Sequence, residues 1–399
     1  MRAQRVAFRR PPLLVLTAAP VIGLLVWLRW STVVRDPWSD LAVYLRGGAD
    51  ILRGVSLYDV NVKGLPFLYP PFAAVLFSPL SLISIDVSRW LFTAGSLVCY
   101  VAIVFVGVRS TRIGWLLGGV VGAAGLAFEP FFTNISLGQI NQYLMLMVVL
   151  DCLVVPARHR GWLVGLAAGV KIVPGAFILY FALKRDWSSV RRTLMGFALS
   201  VACGALVAPR DSWRYWSGGF MDVSGLGAGV AWRGDNQSLS AEFTRLTHNA
   251  NVPGVLLVAI SALAMLLAVL VAKRQLDAQR PFDAMVALGL GSLLASPVSW
   301  THHWLWVVPL LLVTVSRRWW ITSWGLGIVS LVGPMWLVPM YDLGEVSQNW
   351  WQTIFSASYV LIGIGMLIRL FFARPPQTTG APIATGGEAD LPSQVASTA

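Results

Sequence analysis

The first polar stretch of this apolar chain carries the side chain best suited to acid–base chemistry, Asp40. The pattern predicts a short helix that Ser39 or Asp40 caps and that Gly54 ends. Asp40, Tyr44 and Gly47 fall at i, i+4 and i+7, which places them on one face of this helix. A carboxylate on such a face can take a proton from a hydroxyl group. The alternative is that Asp40 only caps a helix in a surface loop.

A proline-rich turn follows this helix. Tyr69 precedes Pro70 and Pro71, and a residue before proline avoids the helical region, so the sequence predicts an extended turn here. Proline can start a helix but cannot continue one. We therefore expect a second, oblique helix over residues 72–83 that dips back toward the bilayer.

Three basic side chains suggest binding of an anion. Lys171 is the one basic residue well inside an apolar segment, so it needs an anion, a carbonyl cage or a water-filled cavity. His302 and His303 are neighbours that point about 100° apart on a helix, so they cannot easily be equivalent ligands of one metal. One of them is expected to reach a cavity. The alternative for either histidine is interfacial packing.

Amide side chains form two further polar blocks. The first contains Asn134, Gln139 and Asn141, and the second contains Asn236 and Gln237 in a long loop. Amides both donate and accept hydrogen bonds, as sugar hydroxyls do, so both blocks are candidate sugar sites. The alternative is helix capping together with solvation of a loop.

The same long loop offers arginines that can clamp a phosphate. Arg245 is the first choice, and Arg233 and Arg214 compete with it for that role.

The composition defines the class of protein. The chain has 399 residues, of which 56% are hydrophobic and only 12% charged, and it contains 19 tryptophans. This predicts an integral membrane protein. The net charge of +12 comes from short basic clusters between apolar runs, which indicates membrane topology and not nucleic-acid binding. The three cysteines all lie in apolar segments without metal-like spacing, so neither a disulfide framework nor a zinc site is expected.

The hydrophobic pattern predicts an all-α membrane bundle. A basic N-terminus, residues 1–12, precedes a retained first helix at 13–30, and ten apolar segments follow. The segment with Lys171 has basic flanks on both sides, which predicts two half-helices that enter and return. This makes about 12 segments within a domain of residues 13–373, followed by a disordered tail at 374–399. Both termini are expected in the cytoplasm.

The basic connectors orient the bundle, because basic loops stay in the cytoplasm. They lie at residues 109–112, 156–160, 184–192, 273–280, 317–318 and 369–374. The polar blocks then all face outside, mainly in the loops 31–87 and 208–253. A transporter would need functional groups open to both sides and near the midplane, so one external face carrying the polar groups argues against a lipid or polysaccharide transporter.

Five separated blocks resemble a known family over about residues 13–373. They are the acidic residue after the first helix with Tyr-Pro-Pro-Phe, Gly-Gln-Ile-Asn, Val-Lys-Ile-Val-Pro, Asn-Gln-Ser and Ser-Trp-Thr-His-His. The order and content resemble GT-C glycosyltransferases, within them the GT87-type polyprenyl-phosphate-mannose-dependent α-1,2-mannosyltransferases of actinobacteria. The resemblance implies juxtamembrane helices outside the plasma membrane after the first span.

The resemblance also implies a reaction. Mannose moves from a polyprenyl phosphate to a glycolipid or lipoglycan of the phosphatidylinositol mannoside or lipomannan type, with inversion. No cofactor is indicated, and a divalent metal bound by Asp36, Asp40 and Asp59 is left open. An arabinofuranosyltransferase is the alternative, and acceptor identity stays open. The implied base is Asp40, the implied donor-phosphate ligands are His303, with His302 as fallback, Lys171 and Arg245, and the implied sugar or acceptor ligands are Tyr44, Tyr69, Asn134, Gln139, Asn141, Asn236 and Gln237.

Overall fold

A computed structural model describes residues 38–59, 61–62, 64–219, 229–247, 252–338 and 348–373. Over these ranges the chain forms seventeen α-helices, short 3-10 turns and one two-stranded hairpin. The predicted all-α class is therefore confirmed for the described part. The predicted N-terminus at 1–12, the first helix at 13–30 and the tail at 374–399 lie outside the described residues.

The helix that carries Asp40, α1 (Ser39–Arg53), ends where the sequence predicts. Gly54 terminates it with a φ of 66°, a left-handed conformation that glycine adopts without strain. Asp40, Tyr44 and Gly47 all lie on this helix, as the spacing predicts.

The predicted cap of α1 was wrong. Neither Ser39 nor Asp40 occupies the cap position, which belongs to Trp38, and no side chain caps the first turn. The backbone N–H of Trp38 instead donates to the carbonyl of Ser136 at 2.7 Å. A contact with another element thus fixes the start of the helix, and the Asp40 carboxylate is not used as a cap.

The chain from α1 returns to the bundle through a hairpin and a proline turn. Strand β1 (Asn61–Val62) pairs with β2 (Leu65–Pro66) in antiparallel fashion. Pro70 is extended, with φ −56° and ψ 151°, and α2 (Pro71–Phe77) starts directly after it. The helix expected over 72–83 is shorter than predicted, because a proline at position 79 clashes with the carbonyl four residues earlier, and a 3-10 turn (Pro79–Leu82) follows.

The remaining helices are α3 (Ile85–Thr111), α4 (Trp115–Gly125), α5 (Glu129–Leu137), α6 (Asn141–Leu153), α7 (Trp162–Val170), α8 (Ile178–Leu183), α9 (Trp187–Val207), α10 (Pro209–Trp216), α11 (Leu239–Thr247), α12 (Gly254–Asp277), α13 (Pro281–Ala295), α14 (Val307–Ser316), α15 (Trp320–Val332), α16 (Trp350–Ser356) and α17 (Ser358–Phe372). All ten apolar segments predicted between residues 88 and 372 contain a helix.

Among the described helices, α3, α9 and α12 are long and apolar enough to cross a membrane. Two bent pairs, α4 with α5 at 55° and α16 with α17 at 71°, can each form one broken span. The described residues therefore contain three to five candidate spans. The count of about 12 membrane or half-membrane segments stays a prediction.

The segment with Lys171 is broken, as the sequence predicts. Helix α7 stops at Val170, Lys171 is extended with φ −150° and ψ 128°, and a 3-10 turn (Val173–Phe177) leads into α8. Proline at position 174 cannot donate to a continuing helix, which explains the break. Entry and return of the two halves on the same side stays a prediction.

Two short helices of the core are buried along nearly their whole length. Every residue from Phe282 to Leu294 of α13 is buried, and so is every residue from Val307 to Val315 of α14. A helix that is apolar all round belongs inside a bundle, where it is surrounded by protein and need not span the lipid alone. This explains why these segments are shorter than a bilayer requires.

The polar and the basic blocks lie at opposite ends of α14. The 3-10 turn (Thr301–Trp306) that holds the two histidines precedes this helix, and Arg317 follows it. At the rise of an α-helix, the fourteen residues from His303 to Arg317 separate the two ends by roughly 20 Å. Asn236 of the long polar loop forms a β-bridge with Trp300, so that loop joins the histidine end.

Candidate active site

Asp40 and Gln139 form the first pair of the site. The side-chain Nε2 of Gln139 donates to Asp40 Oδ2 at 2.5 Å, and the Asp40 side chain is partly exposed. Gln139 follows Gly138, whose φ of 69° ends α5. A Cβ on Gly138 would lie 2.7 Å from the Cβ of Leu41, so only glycine lets α1 pack this closely against the turn. Close packing therefore brings Gln139 within reach of Asp40, 99 residues away in sequence.

Two tyrosines hold the other end of the Gln139 amide. Tyr44 Oη donates to Gln139 Oε1 at 2.9 Å and lies 2.8 Å from Tyr69 Oη. The Tyr44 ring is fully buried and stacks on Phe77 with ring centroids 4.5 Å apart. Burial, followed by the charge on Asp40, raises the pKa of Tyr69, and burial likewise raises the pKa of Tyr44, so both phenols stay protonated. The amide of Gln139 is thus oriented with its N–H toward the carboxylate.

Asn141 links this group to the lysine. Its Nδ2 donates to Gln139 Oε1 at 3.3 Å and to Asn134 Oδ1 at 3.1 Å. Its Oδ1 accepts from Lys171 Nζ at 3.0 Å. A single side chain at the start of α6 therefore joins the carboxylate end to the cationic end.

Lys171 meets one of the two histidines. Lys171 Nζ lies 3.1 Å from His303 Nε2 and 5.6 Å from the centre of the Tyr69 ring. A charged ammonium can only donate hydrogen bonds, so Nε2 of His303 must accept this one. The proton of the neutral His303 ring must then be on Nδ1. Within the described ranges, no carboxylate forms an ion pair with Lys171. Among the described residues, the contacts leave a partly buried positive charge without a directly paired anion.

His302 lies behind His303. The two rings meet edge to face with centroids 4.7 Å apart, and the carbonyl of His302 accepts from Asn141 Nδ2 at 3.5 Å. The His302 ring is buried, and its Nε2 has no hydrogen-bond partner among the described residues. Of the two histidines, only His303 forms a hydrogen bond with Lys171.

A small cavity opens beside the cationic end. Its volume is about 60 Å³, and its polar wall includes Asn141, Lys171 and His303 together with Ser292, Ser296 and Ser299. The rest of the wall is largely apolar, including Val173 and Phe177. A cavity with one polar and one apolar wall suits a ligand that has both a polar and an apolar part.

The amides of the long loop do not contact this group. Asn236 Oδ1 accepts from the backbone N–H of Ser299 at 3.0 Å, and its Nδ2 donates to a carbonyl in its own loop. The Gln237 amide binds the carbonyl of Ser356 and the N–H of Tyr359. Both side chains are fully buried. These contacts fasten the loop to the histidine turn, to α16 and to α17. They give no support to the expected sugar-binding role, which stays a prediction.

Arg245 also has structural partners. Its guanidinium pairs with Glu242 Oε2 at 2.5 Å and donates to the carbonyls of Arg233 and Asn236 at 2.7 and 3.0 Å. The two charged side chains are 2% and 4% exposed. The contacts do not support the expected phosphate clamp, because the donors of Arg245 are already used within the loop.

The two competing arginines are also paired. Arg233 pairs with Asp235 at 2.6 Å and lies over the Trp300 ring. Arg214 pairs with Asp59 at 2.5 Å. The hydrogen bonds that Asp59 accepts from Arg214 and Ser56 hold the pKa of its carboxyl group below the usual value. Within the described part of the chain, neither arginine forms a hydrogen bond with Lys171 or His303.

These contacts predict the effect of changing Arg245. Arg245→Gln leaves Glu242 as a buried charge without its partner, which typically costs about 3–5 kcal/mol. We expect a lower yield of folded protein and a lower unfolding temperature in detergent, with donor affinity unchanged in the fraction that folds. The control is Arg89→Gln, which breaks an exposed pair with Asp86 and should change stability little. An Arg245→Gln protein of normal stability that had lost donor affinity would restore the phosphate role.

The sequence reasoning missed Glu129. Its carboxylate is buried and accepts from Thr133 Oγ1 at 2.8 Å, Trp336 Nε1 at 2.9 Å and Tyr359 Oη at 2.9 Å. A hydrogen bond from Thr301 joins it to the histidine turn. The available signal was an acidic residue at the start of an apolar segment, which requires several donors when buried.

Known proteins resemble this chain over most of its length. The model of glycosyltransferase family 87 matches residues 67–297. The polyprenol-phosphate-mannose-dependent alpha-(1-2)-phosphatidylinositol mannoside mannosyltransferase of Mycobacterium tuberculosis is 32% identical, with 89% of each chain covered. A protein of the same description from Mycolicibacterium smegmatis is 31% identical over 86% of each chain.

A second protein of Mycolicibacterium smegmatis, a polyprenol-phosphate-mannose-dependent alpha-(1-2)-phosphatidylinositol pentamannoside mannosyltransferase, is 32% identical. The match covers 89% of this chain and 90% of that protein. No solved structure matches the chain significantly.

Proposed function

Because the chain belongs to glycosyltransferase family 87, and is therefore a membrane glycosyltransferase, we propose that it transfers mannose from a polyprenyl phosphate to a hydroxyl of a phosphatidylinositol mannoside-type glycolipid. The relatives that match nearly the whole chain carry this donor and this acceptor class in their names. The observation that supports the assignment of the site is the continuous set of contacts from Asp40 through Gln139 and Asn141 to Lys171 and His303. One end can take a proton and the other can hold a phosphate.

In the proposed reaction Asp40 is the general base. The acceptor hydroxyl oxygen forms a bond to the anomeric carbon as the bond from that carbon to the phosphate oxygen breaks, with inversion. The hydroxyl proton passes to Asp40, and polyprenyl phosphate leaves with the bonding electron pair. Gln139, fixed by Tyr44, orients the carboxylate that receives the proton.

Lys171 and His303 are the proposed partners of the leaving phosphate. Negative charge accumulates on the phosphate oxygens as the sugar departs, and a preorganised ammonium stabilises that charge most where water is excluded. The apolar part of the neighbouring cavity suits the first carbons of the lipid chain. No step of this scheme uses Asn236, Gln237 or Arg245.

We also propose that the site faces outside a multi-pass plasma-membrane protein, with both termini in the cytoplasm. The basic connectors at one end of the bundle and the polar cluster at the other support this orientation.

Single-cysteine labelling tests the orientation. Cys99, Cys152 and Cys203 are first replaced, and probes are placed at exposed positions. We expect Trp213→Cys and Thr247→Cys to react with an impermeant reagent in intact cells, because both positions are exposed and belong to the polar end. Arg109→Cys and His159→Cys should react only after permeabilisation. Labelling of His159→Cys from outside would contradict the re-entrant segment around Lys171.

A transfer assay tests the proposed reaction. Purified protein receives radiolabelled polyprenyl-phosphate mannose or polyprenyl-phosphate arabinose, together with a phosphatidylinositol mannoside acceptor. We expect only mannose in the glycolipid product. Transfer of arabinose would instead identify an arabinofuranosyltransferase, and movement of lipid across the membrane without transfer would identify a transporter.

A further inference from the structure

We propose that a basic cavity at the end of the bundle opposite Asp40 binds the phosphate headgroup of an anionic membrane lipid. This cavity lies where α12, α13, α14 and α17 end or begin, and its volume is about 460 Å³. Its cationic wall consists of Lys273, Arg274, Arg280 and Arg317. Asp277 is the one acidic residue in the wall, so the lining carries a clear excess of positive charge.

The floor of the cavity is fixed by a buried network. Arg317 donates to Asp283 at 2.5 Å and to Gln275 Oε1 at 2.5 Å, and Arg280 lies 3.5 Å from the same carboxylate. Gln275 in turn donates to the carbonyl of Leu370 at 2.8 Å. These bonds hold four helices together around the cavity, so its shape is built into the fold and does not depend on flexible side chains.

The rim carries the charge that is available to a ligand. The guanidinium of Arg274 lies over the Phe371 ring at 5.7 Å and has no hydrogen bond or ion pair to another side chain among the described residues. Lys273 pairs only with Asp277, and both of these side chains are more than half exposed. An anion at the rim would therefore bind cationic side chains that are not already paired with buried carboxylates.

The surface of α12 indicates a lipid and not a free anion. Leu263, Leu266 and Leu270 are 63%, 52% and 47% exposed and fall at i, i+3 and i+7, which is one face of this candidate membrane span. Arg274 follows Leu270 by four residues on the same face. A headgroup phosphate at Arg274 would thus place its acyl chains along the leucines, and basic pockets between membrane helices commonly hold anionic headgroups.

The test measures the unfolding temperature of the full-length protein in neutral detergent during titration with defined lipids. We expect phosphatidylglycerol or cardiolipin to raise it in a saturable manner, and phosphatidylcholine and inorganic phosphate to have no such effect. Lys273→Gln/Arg274→Gln removes two rim charges and leaves Arg317, Arg280 and the floor intact. At about 1 kcal/mol per charge this should weaken the apparent Kd for the anionic lipid roughly 30-fold.

The controls separate this site from general surface charge and from the active site. Arg109→Gln/Arg191→Gln removes the same number of exposed charges elsewhere and should keep the wild-type response. Asp40→Asn should also keep it, so failure of the mannosyltransferase assignment would leave this result intact. Equal stabilisation by inorganic phosphate would overturn the choice of a lipid. An unchanged response in the Lys273→Gln/Arg274→Gln protein, or an equal loss in the charge-matched control, would overturn the site.

Discussion

Replacing Asp40 with asparagine should lower the rate of mannosyl transfer by roughly 100- to 10,000-fold, the range typical of a lost general base. Asparagine has the same size and keeps an oxygen that can accept the hydrogen bond from Gln139 Nε2. It cannot take a proton from the acceptor hydroxyl. Because the Asp40 side chain does not cap α1, the substitution removes no capping hydrogen bond, and the helix should persist.

The measurement is turnover with saturating polyprenyl-phosphate mannose, together with donor affinity and unfolding temperature. Donor binding and stability should stay close to wild type. Asp59→Asn is the matched control, because Asp59 is exposed and paired with Arg214 on the same polar end. Near wild-type transfer by a folded, donor-binding Asp40→Asn protein would remove Asp40 from the mechanism. Asp36, which lies outside the described residues, would then be the next candidate, and Asp59 would join it only if the Asp59→Asn control had also lost transfer.

Replacing Lys171 with glutamine should lower turnover by roughly 100- to 1,000-fold, as expected when a preorganised group that stabilises charge on a leaving group is lost. The ammonium is held by Asn141 and His303 at the edge of the cavity. His303→Ala should also lower turnover strongly, because the ring contacts Lys171 and faces the same cavity. His302→Ala should do less, since its ring lies behind that of His303.

The readout for these variants is kcat and KM measured separately, with unfolding temperature to confirm the fold. Removing an interaction that forms mainly in the transition state lowers kcat and kcat/KM together. Lys184→Gln serves as the control, because Lys184 belongs to the same broken segment but lies over the Tyr180 ring, away from the cavity. Equal, mild effects at His302 and His303 would reduce the pair to packing residues.

The sequence predicted the residues that meet in the contact network, whereas the roles predicted for residues of the long loop find no support in their contacts. Asp40 and Tyr44 share a helical face by spacing alone, and an isolated lysine in an apolar segment signals a special environment. Asn236, Gln237 and Arg245 have equally suitable side chains, but their partners lie on the turn before α14, on α16 and α17, and within their own loop. Such pairings across the fold cannot be read from local spacing.

The predicted side-chain cap of α1 was wrong for a related reason. Local rules favour a side chain at a helix N-terminus, yet a backbone carbonyl of Ser136 was available from a distant element. The break at Lys171 was predictable because proline acts through its own covalent geometry. Features set by covalent geometry were therefore accessible from the sequence, and features set by contacts between distant elements were not.

Glu129 has a consequence for how this protein is made. Its buried carboxylate is satisfied in part by Trp336 and Tyr359, which leave the ribosome more than 200 residues later. Until those helices enter the membrane, Glu129 lacks two of its donors, and the histidine turn it joins lacks part of its support. A chain that ends before Trp336 should therefore keep only the Thr133 and Thr301 donors for the Glu129 carboxylate, and burying that carboxylate should then cost more free energy.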